Sequence, residues 1–307
     1  MFRHLIFRLS LFLPLLLVVS ALSFLLLYLV PGDPAALLAP PEATTEEVQE
    51  LRTDLGLDDP LPVQYLRFLG GIFHGDLGRS YLTNTSVVDE LLPRFLATLE
   101  LAVTSLFISV PVGLFSGIIA AIKPGSKLDI SLMIGSVFGL SIPVFWLGLI
   151  LMLVFSLYLG WLPIGGRGDF KNLILPAVTL STWSTAIIAR MTRASMLEVL
   201  GSNYIQVARG KGLAEWVVMN RHALKNAIIP IITVIGLRFG YMLSGAVVTE
   251  TVFAWPGMGR FIIQSIQSRD YPNIRGAILL FATTIMLINL FIDVIYTYVD
   301  PRIRLKD

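Results

Sequence analysis

"LAVTSLFISVPVGLFSGIIAAI", residues 101–122, runs for 22 positions without a charged side chain. At 1.5 Å per helical residue such a run is about 33 Å long, enough to cross roughly 30 Å of hydrocarbon. The pattern recurs along the chain: windows of about 19 residues place apolar spans near 9–30, 97–122, 131–159, 174–194, 227–253 and 277–299. Composition agrees, with 55% of the 307 residues hydrophobic and 14% charged, where soluble domains average about 25% charged. The reading is an all-α integral membrane protein of about six transmembrane helices. A retained first helix is preferred over a cleaved signal, because the apolar run from Leu9 to Val30 exceeds a signal h-region and lacks a small-x-small cleavage site. Pro143 is expected to kink the third span, and the fourth is expected to open at Pro176 and end in Arg190 and Arg193.

Sidedness follows from the distribution of Lys and Arg. With both termini inside, thirteen basic residues fall on the cytoplasmic side and nine outside, and the long segment 31–96 sets four basic against eleven acidic residues. The expected organisation is a cytoplasmic N-terminus and first helix over 1–30, an extracytoplasmic segment over 31–96, a transmembrane core over 97–299 with a cytoplasmic loop at 195–226, and a cytoplasmic tail over 300–307. The outer segment reads as helical. Thr44 with Glu47 forms a capping box ahead of Val48, Leu51 and Leu55 on one face, and "PVQYLRFLGGIF" is amphipathic enough to lie at the membrane interface.

Several chemistries are excluded. Without cysteine there are no disulfides, thiolate metal sites or cysteine nucleophiles. A net charge of +2 is too small to argue for nucleic acid. "RGKG" at 209–212 lacks both the preceding glycine and the following hydroxyl of a phosphate loop. His4, His74 and His222 are far apart, His74 reads as a surface histidine, and neither H-E-x-x-H nor G-x-S-x-G occurs, so no metal or catalytic site is expected.

One loop breaks the hydrophobic pattern: "NYIQVARGKGLAEWVVMNRHALKNAIIP", residues 203–230. Ser202 can cap a helix from Asn203 to about Arg209 in which Tyr204, Val207 and Ala208 fall at i, i+3 and i+4. Gly210 and Gly212 then supply a turn, and a second amphipathic helix is expected from Glu215 to Asn226. Such a short helix suits insertion into a groove of another protein or, equally on these grounds, an elbow lying on lipid headgroups.

The loop resembles the coupling loop of ABC importer permeases, keeping Ala208, Gly212 and Leu224 of the general pattern while Gln206, Val207, His222, Ala223 and Lys225 stand at its neighbouring positions. "ARGKGL" and "RHALKNAIIP" are similar to the variant of the dipeptide, oligopeptide and nickel permease branch. "YLVPGDPA", "LGLDDPLPVQYLRFLGGIFHGDLGRSY", "SIPVFWLGLIL", "ETVFAWPGMGRF", "RDYPNIRGAIL" and "DPRIR" extend the resemblance along nearly the whole chain. The acidic outer segment resembles that of the first permease of a pair.

That resemblance implies a type I ABC importer permease in a bacterial or archaeal cytoplasmic membrane. Its implied partners are a second homologous permease, two ATPase subunits that bind ATP and Mg, an extracytoplasmic binding protein and membrane lipid, with no cofactor in this chain and no nucleic acid. Short peptides are the implied cargo, with nickel or metal chelates, glutathione or small glycans as alternatives. The implied ATPase-docking residues are Tyr204, Val207, Ala208 and Gly212, with Arg209, Lys211 and Glu215 as polar contacts and His222 supporting the elbow. Charged groups are costly inside a membrane and mark functional or paired positions. Arg238 and Asp293 differ in depth by about 7 Å, which fits either a structural pair or an Arg238 facing the transport path with Tyr241 and Ser244. Thr249, Glu250, Trp255, Pro256 and Gly257 read as an outer gate or binding-protein contact, or as a simple turn. An ion-driven secondary transporter would show more spans and paired repeats. A non-transporting scaffold would show uptake independent of the loop.

Overall fold

The computed structural model describes residues 2–29, 35–36, 39–40 and 42–299, except for the side chains of 2–9, 26–29, 244–245, 293 and 295–299. These residues are overwhelmingly helical, and among them strand pairing is limited to one bridge, Arg79 with Ser86. The chain divides into two compact units, one built from Ala97–Arg260 with residues from Leu287 on, the other from Phe2–Leu96 with Phe261–Met286.

The second of these contains α1 (Phe2–Leu29), α2 (Thr45–Asp54) and α3 (Leu61–Phe73). The expected capping box is present: the Glu47 N–H donates to Thr44 Oγ1 at 3.3 Å, and the Thr44 N–H donates back to Glu47 Oε2 at 2.8 Å. The helix α3 buries Phe68 against Phe24 and Leu279, and the Arg275 guanidinium lies 3.9 Å above the Phe68 ring. Phe68 and Tyr65 thus pack inward while Phe73 is exposed.

The other unit contains most of α4 (Val87–Ile122), then α5 (Lys127–Ser141), α6 (Val144–Leu151) with its π-helical continuation Met152–Tyr158, and α7 (Phe170–Leu200). After α8 (Asn203–Gly210), a continuous helical run passes from Glu215–Val217 through the π segment Val218–Leu224 into α9 (Lys225–Val252). Two helices remain, α10 (Met258–Gln267) and α11 (Tyr271–Val299). Four described helices are long and apolar enough to cross a membrane, a fifth span results if α5 and α6 count as one, and α1 is apolar over Ser10–Leu25.

Two proline expectations change. Pro143 does not merely kink the third span: α5 and α6 meet at 102°, because Ile142 takes the extended conformation (φ −77°, ψ 124°) that a residue before proline favours. Pro176 does not open the fourth span but lies buried inside α7, which starts at Phe170. Small residues let the backbones close up: a Cβ at Gly113 would sit 2.8 Å from Ile188, and one at Gly117 2.5 Å from the Ala189 carbonyl. Two apolar clusters hold the unit, one around Leu101, Leu180, Met242 and Trp255, the other around Met196, Ile205, Val218, Met219 and Ile231.

Candidate functional site

The helix α8 is anchored by its inner side. Ile205 is fully buried and Ala208 is 7% exposed, both packed with Val218, Met219 and Ala223, whereas Tyr204 and Val207 are exposed, Val207 at 58%. The single face expected for Tyr204, Val207 and Ala208 is therefore divided. At about 100° per residue, Ala208 lies roughly 60° from Ile205 but roughly 100° from Val207, so it turns inward with the isoleucine. Ser202 starts the helix but does not cap it with its side chain; its Oγ donates to the Val199 carbonyl at 2.5 Å.

The turn behind α8 is held by a left-handed glycine and an ion pair. Gly212 has φ +76°, a left-handed conformation that a side chain would strain, although nothing crowds its Cβ position. Arg209 donates from Nε and Nη2 to the two oxygens of Glu215 at 3.1 and 2.6 Å, a bidentate pair that brackets this glycine. That hydrogen-bonded carboxylate pushes the Arg209 pKa further above its ordinary value. Lys211 and Glu215 are exposed. No separate helix runs from Glu215 to Asn226; the segment is continuous with α9 through the π turn. The Asn226 side chain donates to the Tyr204 hydroxyl and to the His222 carbonyl, each at 2.9 Å, so His222 takes part in the elbow through its backbone. Trp216, 72% exposed, and Leu213 add apolar surface beside the turn. Neither is distinguished in the sequence, where Trp216 stands beside the apolar Val217, Val218 and Met219.

Within the membrane-spanning region, the Arg238 guanidinium lies 4.8 Å from the Trp183 ring and 5.0 Å from the Tyr241 ring. Its Nε and Nη1 are buried without a hydrogen-bond partner among the described residues. Trp183 and Tyr241 also line an opening of about 350 Å³ with Ile142, Pro143, Val144 and Ser184. The side chains of Ser244 and Asp293, named from the sequence, lie outside the described residues.

The outer motif is a buried knot, with Thr249, Glu250, Trp255 and Gly257 all buried and Pro256 exposed. Thr98 donates to Glu250 Oε1 at 2.6 Å, the Arg260 N–H donates to Glu250 Oε2 at 3.0 Å, and the Met258 N–H donates to Thr98 Oγ1 at 2.8 Å. Glu250 and Thr98 together cap the start of α10, where free N–H groups favour an acceptor. The Trp255 indole donates to the Ala97 carbonyl at 2.9 Å. Glycine is required at 257 because a Cβ there would overlap the Glu250 carboxylate. The second unit carries a comparable knot that went unread in the sequence: Asp270 accepts from Ser80 Oγ at 2.5 Å, the Tyr81 N–H at 3.2 Å and Asn273 Nδ2 at 2.9 Å.

Comparison with known proteins places this geometry. Residues 113–305 match the family described as "Binding-protein-dependent transport system inner membrane component", and residues 1–102 match its N-terminal companion, "Binding-prot-dependent transport system membrane comp, N-term". The glutathione transport system permease protein GsiC of Escherichia coli is 44% identical over 307 residues, covering 100% of both chains. The dipeptide transport system permease protein DppB of Alkalihalophilus pseudofirmus is 41% identical, covering 97% of this chain and 98% of that one. Among solved structures, a chain of the inward-facing MetNI methionine ABC transporter superposes with a TM-score of 0.58 at 19% identity, over 68% of this chain and 96% of its own. That likeness concerns the fold.

Proposed function

This chain belongs to the family of inner-membrane components of binding-protein-dependent transport systems, and from that premise we propose how its parts carry out import. It is a multi-pass permease subunit of an ABC importer of the dipeptide and oligopeptide family, a transport subunit rather than an enzyme. Permeases of this kind act with a second permease, ATPase subunits and a binding protein. In our reading the chain has six spans with both termini cytoplasmic, and the segment 195–226 is its coupling loop. ATP is bound and hydrolysed by two partner ATPases, and cargo arrives from an extracytoplasmic binding protein. Short peptides are the proposed cargo; glutathione is the specific alternative, supported by the printed function of the GsiC relatives.

One observation carries the coupling proposal: α8 presents Tyr204 and Val207 to solvent while Ile205 and Ala208 root it in the core. A helix so anchored acts as a stiff lever between a partner's groove and the membrane helices behind it. The Arg209–Glu215 pair and Gly212 hold the turn, and the exposed Lys211 supplies a charge at its rim. When two ATPases close on ATP, paired loops of this kind are drawn together and the spans they root in reorient; hydrolysis reverses the movement. The force comes from contacts that differ between the two states. Arg238 and Tyr241 face the transport path. The test is co-purification of the detergent-solubilised chain with its ATPase subunits. Val207→Glu, at an exposed position, is expected to abolish ATPase binding while leaving the unfolding temperature unchanged. Retained binding would make the loop an interfacial elbow.

A further inference from the structure

We propose that α3 lies within the hydrocarbon layer of the membrane, with its outward face against lipid chains, rather than on the bilayer surface. This rests on the reading of α1 as a membrane span and adds where the segment that follows it stands.

Depth is the first observation. The Tyr65 hydroxyl donates to the Leu17 carbonyl at 3.2 Å and lies 2.8 Å from the Ser20 hydroxyl. Leu17 stands inside the apolar run Leu9–Val30, about 12 Å along the helix from one end and about 20 Å from the other. Phe68 packs on Phe24 of the same run and on Leu279, within the apolar stretch of α11. The helix α3 therefore sits against two membrane helices inside their apolar lengths. Its outward face is the second observation. Pro62, Val63, Leu66, Gly70 and Phe73 fall within about 100° around the helix, and Leu66 and Phe73 are 66% and 76% exposed. A helix lying in water would carry polar residues on that face.

Hydrocarbon demands that polar groups be satisfied within the protein, and α3 meets that demand. The Val63 and Gln64 N–H groups donate to the Pro60 carbonyl at 2.8 and 3.2 Å, and Pro62 has no N–H to satisfy. At the other end the Gly71 carbonyl accepts from the His74 and Asp76 N–H groups at 3.0 and 2.9 Å. The buried Gln64 amide donates to the Leu57 and Asp59 carbonyls at 3.0 and 2.8 Å. The one charged residue between Asp59 and His74 is Arg67, at the edge of the outward face, and it donates to Asp59 Oδ2 at 2.6 Å. Its long stem lets the charge reach back to the helix start while the face beside it stays apolar. So placed, α3 moors the segment to the bilayer and leaves α2, with Glu46, Glu47 and Glu50 exposed, as the part that faces water.

The experiment uses the complete importer in lipid nanodiscs. The chain lacks cysteine, so Leu66→Cys on α3, Leu22→Cys on α1 and Glu46→Cys on α2, all at exposed positions, each place a single thiol in it, with the unmodified importer as background. Each variant is offered a charged, water-borne maleimide. Each is also labelled in detergent with a small fluorophore and reconstituted in lipid whose acyl chains carry a spin-label quencher. Leu66→Cys is expected to react at least about tenfold more slowly than Glu46→Cys, because a charge entering hydrocarbon costs more than one tenfold step in rate. Its fluorescence should be quenched by the labelled lipid as strongly as that of Leu22→Cys. Reaction of Leu66→Cys as fast as Glu46→Cys puts α3 in water and overturns the proposal. Slow reaction without quenching puts that face under another subunit and overturns it as well. Fast reaction of Leu22→Cys without quenching overturns the reading of α1 as a span, whereas a quenched Leu22→Cys beside an unquenched Leu66→Cys overturns the placement of α3 alone.

Discussion

Replacing Asp129 by alanine should destabilise this protein by about 2–3 kcal/mol, and the structure shows why. Its carboxylate accepts from Arg193 Nε at 2.6 Å and Nη2 at 2.7 Å, and from the Gly125 N–H at 2.9 Å. Breaking a fully buried pair by removing one partner costs about 3–5 kcal/mol, because the other charge is left uncompensated. Here the Asp129 side chain is 3% exposed, but that of Arg193 is 28% exposed. Water reaching the stranded guanidinium recovers part of that cost, which brings the figure down to about 2–3 kcal/mol. The assay is chemical unfolding of the purified chain in detergent, followed by helical signal. The double variant Asp129→Ala with Arg193→Leu is the decisive comparison: with no stranded charge it should be more stable than Asp129→Ala alone. If Asp129→Ala changes stability by less than about 0.5 kcal/mol, or if the double variant costs the sum of the two single changes, the pair is not a coupled buried unit and the reasoning fails.

Other outcomes follow from packing. Ile205→Ala should cost about 2–5 kcal/mol, because the residue is fully buried beneath α8, and it should loosen ATPase binding without touching the exposed face; equal unfolding curves would count against it. Gly257→Ala should lower the unfolding temperature, because its Cβ overlaps the Glu250 carboxylate, by about 1–3 kcal/mol of stability. Gly135→Ala, with nothing near its Cβ and a helical backbone, should be neutral or stabilising by up to about 1 kcal/mol. Ser80→Ala should cost about 1–3 kcal/mol by leaving buried Asp270 with one fewer donor, and should speed protease cleavage of the segment that follows His74; unchanged cleavage would refute the link.

Hydrophobic runs are local, so the apolar spans, the capping box at Thr44 and the short helix at Asn203 were legible in the residues themselves. The family resemblance was legible for a similar reason, since motifs such as "ARGKGL" and "ETVFAWPGMGRF" are contiguous in the chain. The role of each residue inside those motifs was not. Helical spacing put Ala208 with Val207, yet α8 packs on the π-helical segment after Val217, and the direction of that packing turned Ala208 inward. Likewise nothing local to Glu250 and Trp255 shows that their partners are Thr98 and Ala97, more than 150 positions earlier in the chain.

By itself the sequence therefore determined the solvent this chain lives in and the places where it leaves it, because hydrocarbon accepts long uncharged helices and rejects most alternatives. Tertiary structure alone decided which polar groups are spent on holding helices together. Glu250, Asp270 and Asp129 find donors within the protein, while Arg238 keeps two buried nitrogens without a partner among the described residues. That distinction depends on distances between residues remote in sequence, and hydrogen bonds and charges act only at short range.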